Sequence, residues 1–229
     1  MIVFGPPGGG KGTQVERIKR DAGAVAIAPG DLLRQAVASR TAIGKQVEDY
    51  MRRGELVPDQ LVIDLVRQRM QRPDVRQGYI LDGFPRTLVQ LEAAERFLDE
   101  AGLAPDVWLF IDVPESVVEE RVVGRRTCTV CQASWHVRFN PSPLGDRCGR
   151  CGGDLGRRPD DDPEKLRTRL EAYRRDTIPV IERLRAAGRL VTVDAGSLGP
   201  DAVEQLVRRA VGLTTPRRKV ARANVPAWR

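Results

Sequence analysis

No stretch of this 229-residue chain approaches the roughly 20 consecutive apolar residues that a membrane span needs. No charged and then apolar leader is visible either, because Met1-Ile2-Val3-Phe4 runs straight into a glycine-rich motif. The cytoplasm is therefore the expected location. Cysteine is scarce, with four in all, too few for a disulfide scaffold at this length. Histidine occurs once, as His136. Acid is missing from one end. Residues 214–229 hold Arg217, Arg218, Lys219, Arg222 and Arg229 and no Asp or Glu. Removing those five from the net +7 leaves a body near +2, so the excess charge is mostly a tail. Such a tail reads as a solvated, disordered end, with weak contact to nucleic acid or an acidic surface as the alternative. The body does not read as a DNA-binding domain.

What remains is ordinary globular protein, 41% apolar and 30% charged, enough for one core and a small insert. Short apolar runs at 2–4, 24–28, 79–81, 107–111 and 190–193 read as strands, each closed by Gly, Pro or Asp. Amphipathic stretches lie between them. Ile43, Val47, Tyr50 and Met51 share a helix face that Gly54 ends. Leu61, Leu65, Val66 and Met70 form another. Asp162-Pro163 opens a long helix carrying Leu166, Leu170 and Tyr173; Pro179 should kink or break it, and Gly188 ends it. Pro200 starts a last helix with Val203, Leu206, Val207 and Val211 inward. This alternation predicts an α/β fold: a doubly wound, five-stranded parallel sheet of the P-loop NTPase type. Residues 124–161 break the pattern. They lack a helical period, gather glycine and proline, and contain all four cysteines.

Three motifs carry chemistry. Gly5-Pro6-Pro7-Gly8-Gly9-Gly10-Lys11-Gly12-Thr13 follows a strand and opens a helix, the setting that G-x-x-x-x-G-K requires. Glycines let backbone N–H groups converge on one point, the helix N-terminus adds positive potential, and Lys11 adds a full charge for β and γ phosphates. Gly12 stands in the usual Ser/Thr slot, and the hydroxyl comes at Thr13. Leu81-Asp82-Gly83-Phe84-Pro85-Arg86 is a strand ending in an acid at the sheet's carboxyl edge, where doubly wound folds bind ligands. Asp82, with Thr13, is placed to hold Mg²⁺ through water. The cysteines read Cys128-x₂-Cys131-x₁₆-Cys148-x₂-Cys151, the spacing of a structural four-thiolate Zn²⁺ site; two disulfides are the alternative.

The phosphate loop resembles that of the adenylate kinase family, G-x-P-G-x-G-K-G-T, and the likeness covers about residues 1–212. Pro29-Gly30-Asp31-Leu32-Leu33-Arg34 resembles the family's T-G-D-x-L-R, with Pro29 where the family has threonine. The resemblance implies a reversible Mg²⁺-dependent transfer from ATP to AMP giving two ADP, by a monomer, with lid closure excluding water. It divides the chain into core (1–27, 58–123, 162–213), a helical monophosphate-binding arm (28–57) and a zinc-binding lid (124–161). ATP would contact Gly8, Gly9, Gly10, Lys11, Gly12, Thr13, Arg121, Arg125, Ser134 and Trp135. AMP would contact Pro29, Arg34, Glu55, Leu56, Val57, Gly83, Phe84, Pro85, Arg86 and Gln90, with Arg158 and Arg169. Lys11, Arg86, Arg125, Arg158 and Arg169 would carry catalysis, Arg125 and Arg126 marking the lid entry and Arg158-Pro159-Asp160-Asp161 its exit. Arg167 lies on the helix that follows. His136 would be structural or sit at the edge of the nucleotide. Pro29 leaves room for a UMP or CMP kinase or a GTP donor; outside enzymes, the rival is a zinc-knuckle nucleic-acid-binding protein.

Overall fold

A computed structural model describes residues 1–158, 161–196 and 198–213. The tail reading and Pro159-Asp160 lie outside the described residues. The main sheet contains β1 (Ile2–Phe4), β2 (Val25–Ile27), β3 (Tyr79–Asp82), β4 (Trp108–Asp112) and β8 (Leu190–Asp194), in the order β2-β3-β1-β4-β8 and parallel throughout. The expected fold class and all five expected strands are the ones observed.

Strand alternation builds two cores. Ile2, Phe4, Leu81, Trp108 and Phe110 face α4 (Asp59–Met70), α5 (Leu88–Glu100) and α8 (Ile178–Ala186). Val3, Ile80, Leu109 and Ile111 face α1 (Lys11–Ala22), α6 (Glu115–Val123), α7 (Pro163–Ala172) and α9 (Pro200–Ala210). Successive residues of a strand point to opposite faces, so each strand feeds both layers. With β3 on one side of β1 and β4 on the other, the chain reverses its winding at β1. A crevice opens there at the carboxyl ends.

Pro179, expected to kink or break the long helix, does not end it: the backbone stays helical from Pro163 to Ala186. The proline ring cannot donate the next helical bond, and Tyr173–Thr177 widens into a π turn between α7 and α8. A separate three-stranded sheet lies in the region expected to be an insert. Within it β5 (Arg125–Cys128) sits between β6 (Ser134–His136) and β7 (Leu155–Gly156), both antiparallel to it. No helix among the described residues is long and apolar enough to cross a membrane.

Two helices project beyond the sheet, α2 (Pro29–Ala38) and α3 (Ala42–Arg53), packed against each other. They approach closely at Gly44, where an added Cβ would stand 2.1 Å from the Ala36 carbonyl oxygen. Helix propensity alone favours alanine over glycine by about 1 kcal/mol. Backbone cannot yield as a side-chain tip does, so overpacking outweighs that gain. Gly44→Ala is expected to destabilise the protein by about 1–3 kcal/mol; a thermal melt unchanged or raised would contradict the close packing.

Candidate active site

The phosphate loop turns between β1 and α1. Gly8 sits at φ +76°, and a Cβ there would lie 2.4 Å from Val122 Cγ2, so both backbone and space require glycine. Gly10 is the N-cap of α1 and supplies no side-chain cap, leaving the first-turn amides turned to the loop's hollow. Lys11 Nζ donates to the carbonyls of Gly5 and Pro6, both at 2.8 Å. Burial lowers its pKa to about 7. Asp82 opposes the shift, and the charges of Arg86, Arg169 and Arg125 add to it. Asp82, at the end of β3, is pushed up by burial, against the pull of Lys11. The Asp82 carboxylate and the Thr13 hydroxyl line the same cleft, an oxygen donor set that suits a hard divalent cation.

Around one cleft the fold gathers Lys11, Thr13, Arg34, Asp82, Arg86, Arg121, Arg125, Ser134, Arg158 and Arg169, together with loop residues Gly8, Gly9, Gly10 and Gly12. Leu56, Gly83 and Pro85 border it too. Each arginine is held. Arg34 pairs with Asp31 one helical turn away. Arg86 Nε donates to the Gly83 carbonyl at 2.8 Å. Arg121 donates to the carbonyls of Gly9 (3.2 Å), Gly196 (3.1 Å) and Leu198 (3.0 Å), tying the phosphate loop to the turn after β8. Arg125 forks onto Asp161, whose side chain is 1% exposed and also faces Arg169 at 3.7 Å. Arg158 Nε donates to Thr127 Oγ1 at 3.0 Å, across the insert.

Other expected contacts lie off the cleft lining. Ala28 and Gly30 border it, while Pro29 is the buried first residue of α2. Glu55 is turned to Arg53 (2.8 and 2.9 Å), and that hydrogen bond lowers its pKa. Val57 and Phe84 belong to the core, Phe84 stacked on Phe97. Gln90 is 2% exposed, with its amide engaged at both ends by protein. Ser134 and Trp135 are neighbours on a strand and face opposite ways: Ser134 and His136 line the cleft, whereas the Trp135 indole donates to Cys148 Sγ at 3.3 Å. His136 staples the insert's hairpin. Its Nδ1 accepts from the amides of Arg138 and Phe139, both at 3.0 Å, and burial lowers its pKa. Cleft residues that the sequence reading missed include Asp31, Phe139, Asn140, Tyr173, Thr177, Leu198 and Val203. Leu198 follows β8 at the carboxyl edge, and that position was the available signal.

The four cysteines converge although 16 residues separate the pairs. Their Sγ atoms lie within 4.8 Å of one another, with Cys128–Cys151 at 3.4 Å and Cys131–Cys148 at 3.7 Å. A tetrahedral Zn–S site has edges of about 3.8 Å. The cysteines are free thiols, not disulfides. Amides of Val130 and Cys131 point at Cys128 Sγ, and that of Arg150 at Cys148 Sγ, each 3.4 Å, as suits sulfur carrying negative charge. Burial raises Cys148, but the donors Arg150, Trp135 and Cys151 outweigh it and bring it to about 6. This cluster fits a thiophilic dication.

A family model described as adenylate kinase matches residues 3–189. The chain is 45% identical to the adenylate kinase of Archaeoglobus fulgidus over 194 residues, which is 85% of this chain and 89% of that one. It is 42% identical to that of Methanocella arvoryzae over 211 residues, 92% and 97% of the two chains. Against that of Carboxydothermus hydrogenoformans it is 40% identical over 206 residues, 90% and 94%.

The Lys11 ammonium yields a testable prediction. With its pKa lowered to about 7, the amine is partly neutral at pH 7–8. A bound polyphosphate favours the charged form, so binding takes up a fraction of a proton, and affinity falls as pH rises through that range. Calorimetric titration with a nucleoside triphosphate in buffers of different ionisation enthalpy should show the uptake, and Lys11→Met should abolish it. Equal heats in every buffer would sink the idea.

Proposed function

The chain belongs to the adenylate kinase family, and we propose that it transfers a phosphoryl group reversibly from ATP to AMP, giving two ADP. The observation that carries this reading is the gathering of six arginines and Lys11 on one cleft that also holds a phosphate loop and Asp82. A single terminal phosphate does not need so many cations; two phosphate chains meeting end to end do.

In this reading ATP lies over Gly8 to Thr13, and Lys11 leaves the Gly5 and Pro6 carbonyls for the β and γ phosphates. Asp82 and Thr13 would hold Mg²⁺ through water, and the ion would supply positive charge to the phosphates. AMP is held by Arg34 and Arg86, with Leu56 at the base. Its phosphate is already ionised and needs no general base. The AMP oxygen attacks the γ-phosphorus in line, a bond forms there, and the bond to the β-γ bridging oxygen breaks. Lys11, Arg125, Arg158 and Arg169 stabilise the charge on the transferring oxygens. Asp161 holds Arg125 and Arg169 until phosphates replace it. Residues 124–161 act as the lid, whose closure excludes water. Cys128, Cys131, Cys148 and Cys151 hold Zn²⁺ as a structural staple. We read the chain as a monomer, and nothing in the reaction calls for a membrane or a protein partner.

Pro29 motivates a second reading, a different nucleoside monophosphate, because no hydroxyl stands there to meet a base. A coupled assay across AMP, GMP, CMP and UMP, with ATP and GTP as donors, tests both. AMP with ATP is expected to be preferred, and Lys11→Met and Arg86→Ala each to lower kcat/KM by about 10²- to 10³-fold. Near-normal turnover in both variants would refute the assignment.

Metal removal tests the staple. Structural Zn²⁺ contributes roughly 10–16 kcal/mol gross in small metal-folded modules. Chelation is expected to loosen residues 124–161, read by hydrogen exchange, before the parallel sheet unfolds. Unchanged exchange in the insert after complete removal of metal would contradict it.

A further inference from the structure

Arg86 is fixed at its backbone as well as its side chain. Its N–H donates to Gln90 Oε1 at 2.8 Å, and its carbonyl accepts from Thr177 Oγ1 at 3.0 Å. Gln90 is in turn held by Asp59: its Nε2 donates to Asp59 Oδ1 at 2.8 Å. The other Asp59 oxygen accepts from Thr87 Oγ1 at 3.0 Å, and Thr87 caps α5 by accepting from the Gln90 N–H at 3.1 Å. Gln90 and Thr177 are 2% and 6% exposed, so these bonds are shielded from water. An unpaired partner in such a network costs more than the bond itself contributed.

Asp59 opens α4 and follows Leu56-Val57-Pro58 directly. One carboxylate thus joins the segment that borders the base end of the monophosphate subsite to the residue at its phosphate end. We propose that Asp59, through Gln90, is a positioning residue for Arg86, with Thr177 clamping from the opposite side. This rests on the reading of Arg86 as a ligand of AMP phosphate. It also gives Gln90 a role as the strut between Asp59 and the Arg86 peptide.

An acid at the first position of a helix has a simpler use, since it stabilises the helix dipole. The two roles separate by substitution. Asp59→Asn loses the charge but keeps an acceptor for Gln90, while its amide can donate to Thr87 Oγ1. Asp59→Ala loses both. If Asp59 positions Arg86, Asp59→Ala lowers kcat/KM for AMP by about tenfold with KM for ATP within about twofold, and Asp59→Asn recovers most of it. In an Arg86→Ala background Asp59→Ala adds nothing further. Thr177→Val shows the same AMP-selective loss. Equal losses toward both substrates, equal damage in Asn and Ala, or full additivity with Arg86→Ala would each overturn it.

A readout without substrate separates this failure from failure of the kinase reading. The Arg86 Nε–H resonance in ¹⁵N NMR, bonded to Gly83, should broaden or shift in Asp59→Ala and stay in place in Asp59→Asn. An unmoved resonance in Asp59→Ala overturns the positioning role even if the enzyme is active. A moved one supports it even if AMP proves not to be the acceptor.

Discussion

The structure is organised around mutual repulsion among cations. Lys11, Arg34, Arg86, Arg125, Arg158 and Arg169 come from separate parts of the sequence and border the same cleft. Two unit charges about 4 Å apart interact by about 4 kcal/mol in a partly screened protein environment. Neighbouring arginines add to the burial that brings Lys11 down to about 7. The protein meets the repulsion with internal anions and dipoles. Asp161 sits between Arg125 and Arg169, Asp31 meets Arg34, and carbonyls of the loop receive Lys11. Each is an interaction that an incoming phosphate could replace, so the cations are ordered by groups that can give way to substrate.

The sheet makes that convergence possible. The winding reverses at β1, so the loop after β1, the acid ending β3 and the turn after β8 share one edge. The π turn at Tyr173–Thr177 contributes on the other wall. By widening the helix ahead of Pro179 it brings Tyr173 and Thr177 to the cleft, and Thr177 reaches the Arg86 carbonyl. A backbone irregularity just ahead of a proline is thereby used as a support.

What the sequence made legible followed from period and spacing. Alternating apolar residues, glycines ahead of Lys11 and paired cysteines each imply local geometry without reference to the rest of the chain, and the five strands, the loop and the thiol cluster stand where they were expected. Residues whose position depends on a turn were less legible. Phe84 and Gln90 flank Arg86 in sequence, yet the turn sends Phe84 into the core and engages Gln90 with Asp59. Ser134 and Trp135 were placed together although strand alternation alone forbids it. Phe139 and Asn140 reach the cleft only through tertiary folding, which no local pattern announces.

The insert shows why a metal staple and a phosphate cleft belong in one structure. Its strands are four, three and two residues long, too short to bury a core of their own. Cys128 closes β5 and is paired with Leu155, while Arg125 opens β5 and Arg158 follows shortly after β7. A metal fixing Cys128 against Cys148 and Cys151 therefore fixes the register of β5 on β7. That register sets the Thr127–Arg158 hydrogen bond and the separation of the two arginines. A slip of one residue would turn Arg125 to the opposite face of its strand, away from Asp161 and the cleft. The proposed Zn²⁺ thus acts on the chemistry at a distance: it holds a ladder in register, and the ladder aims the charges.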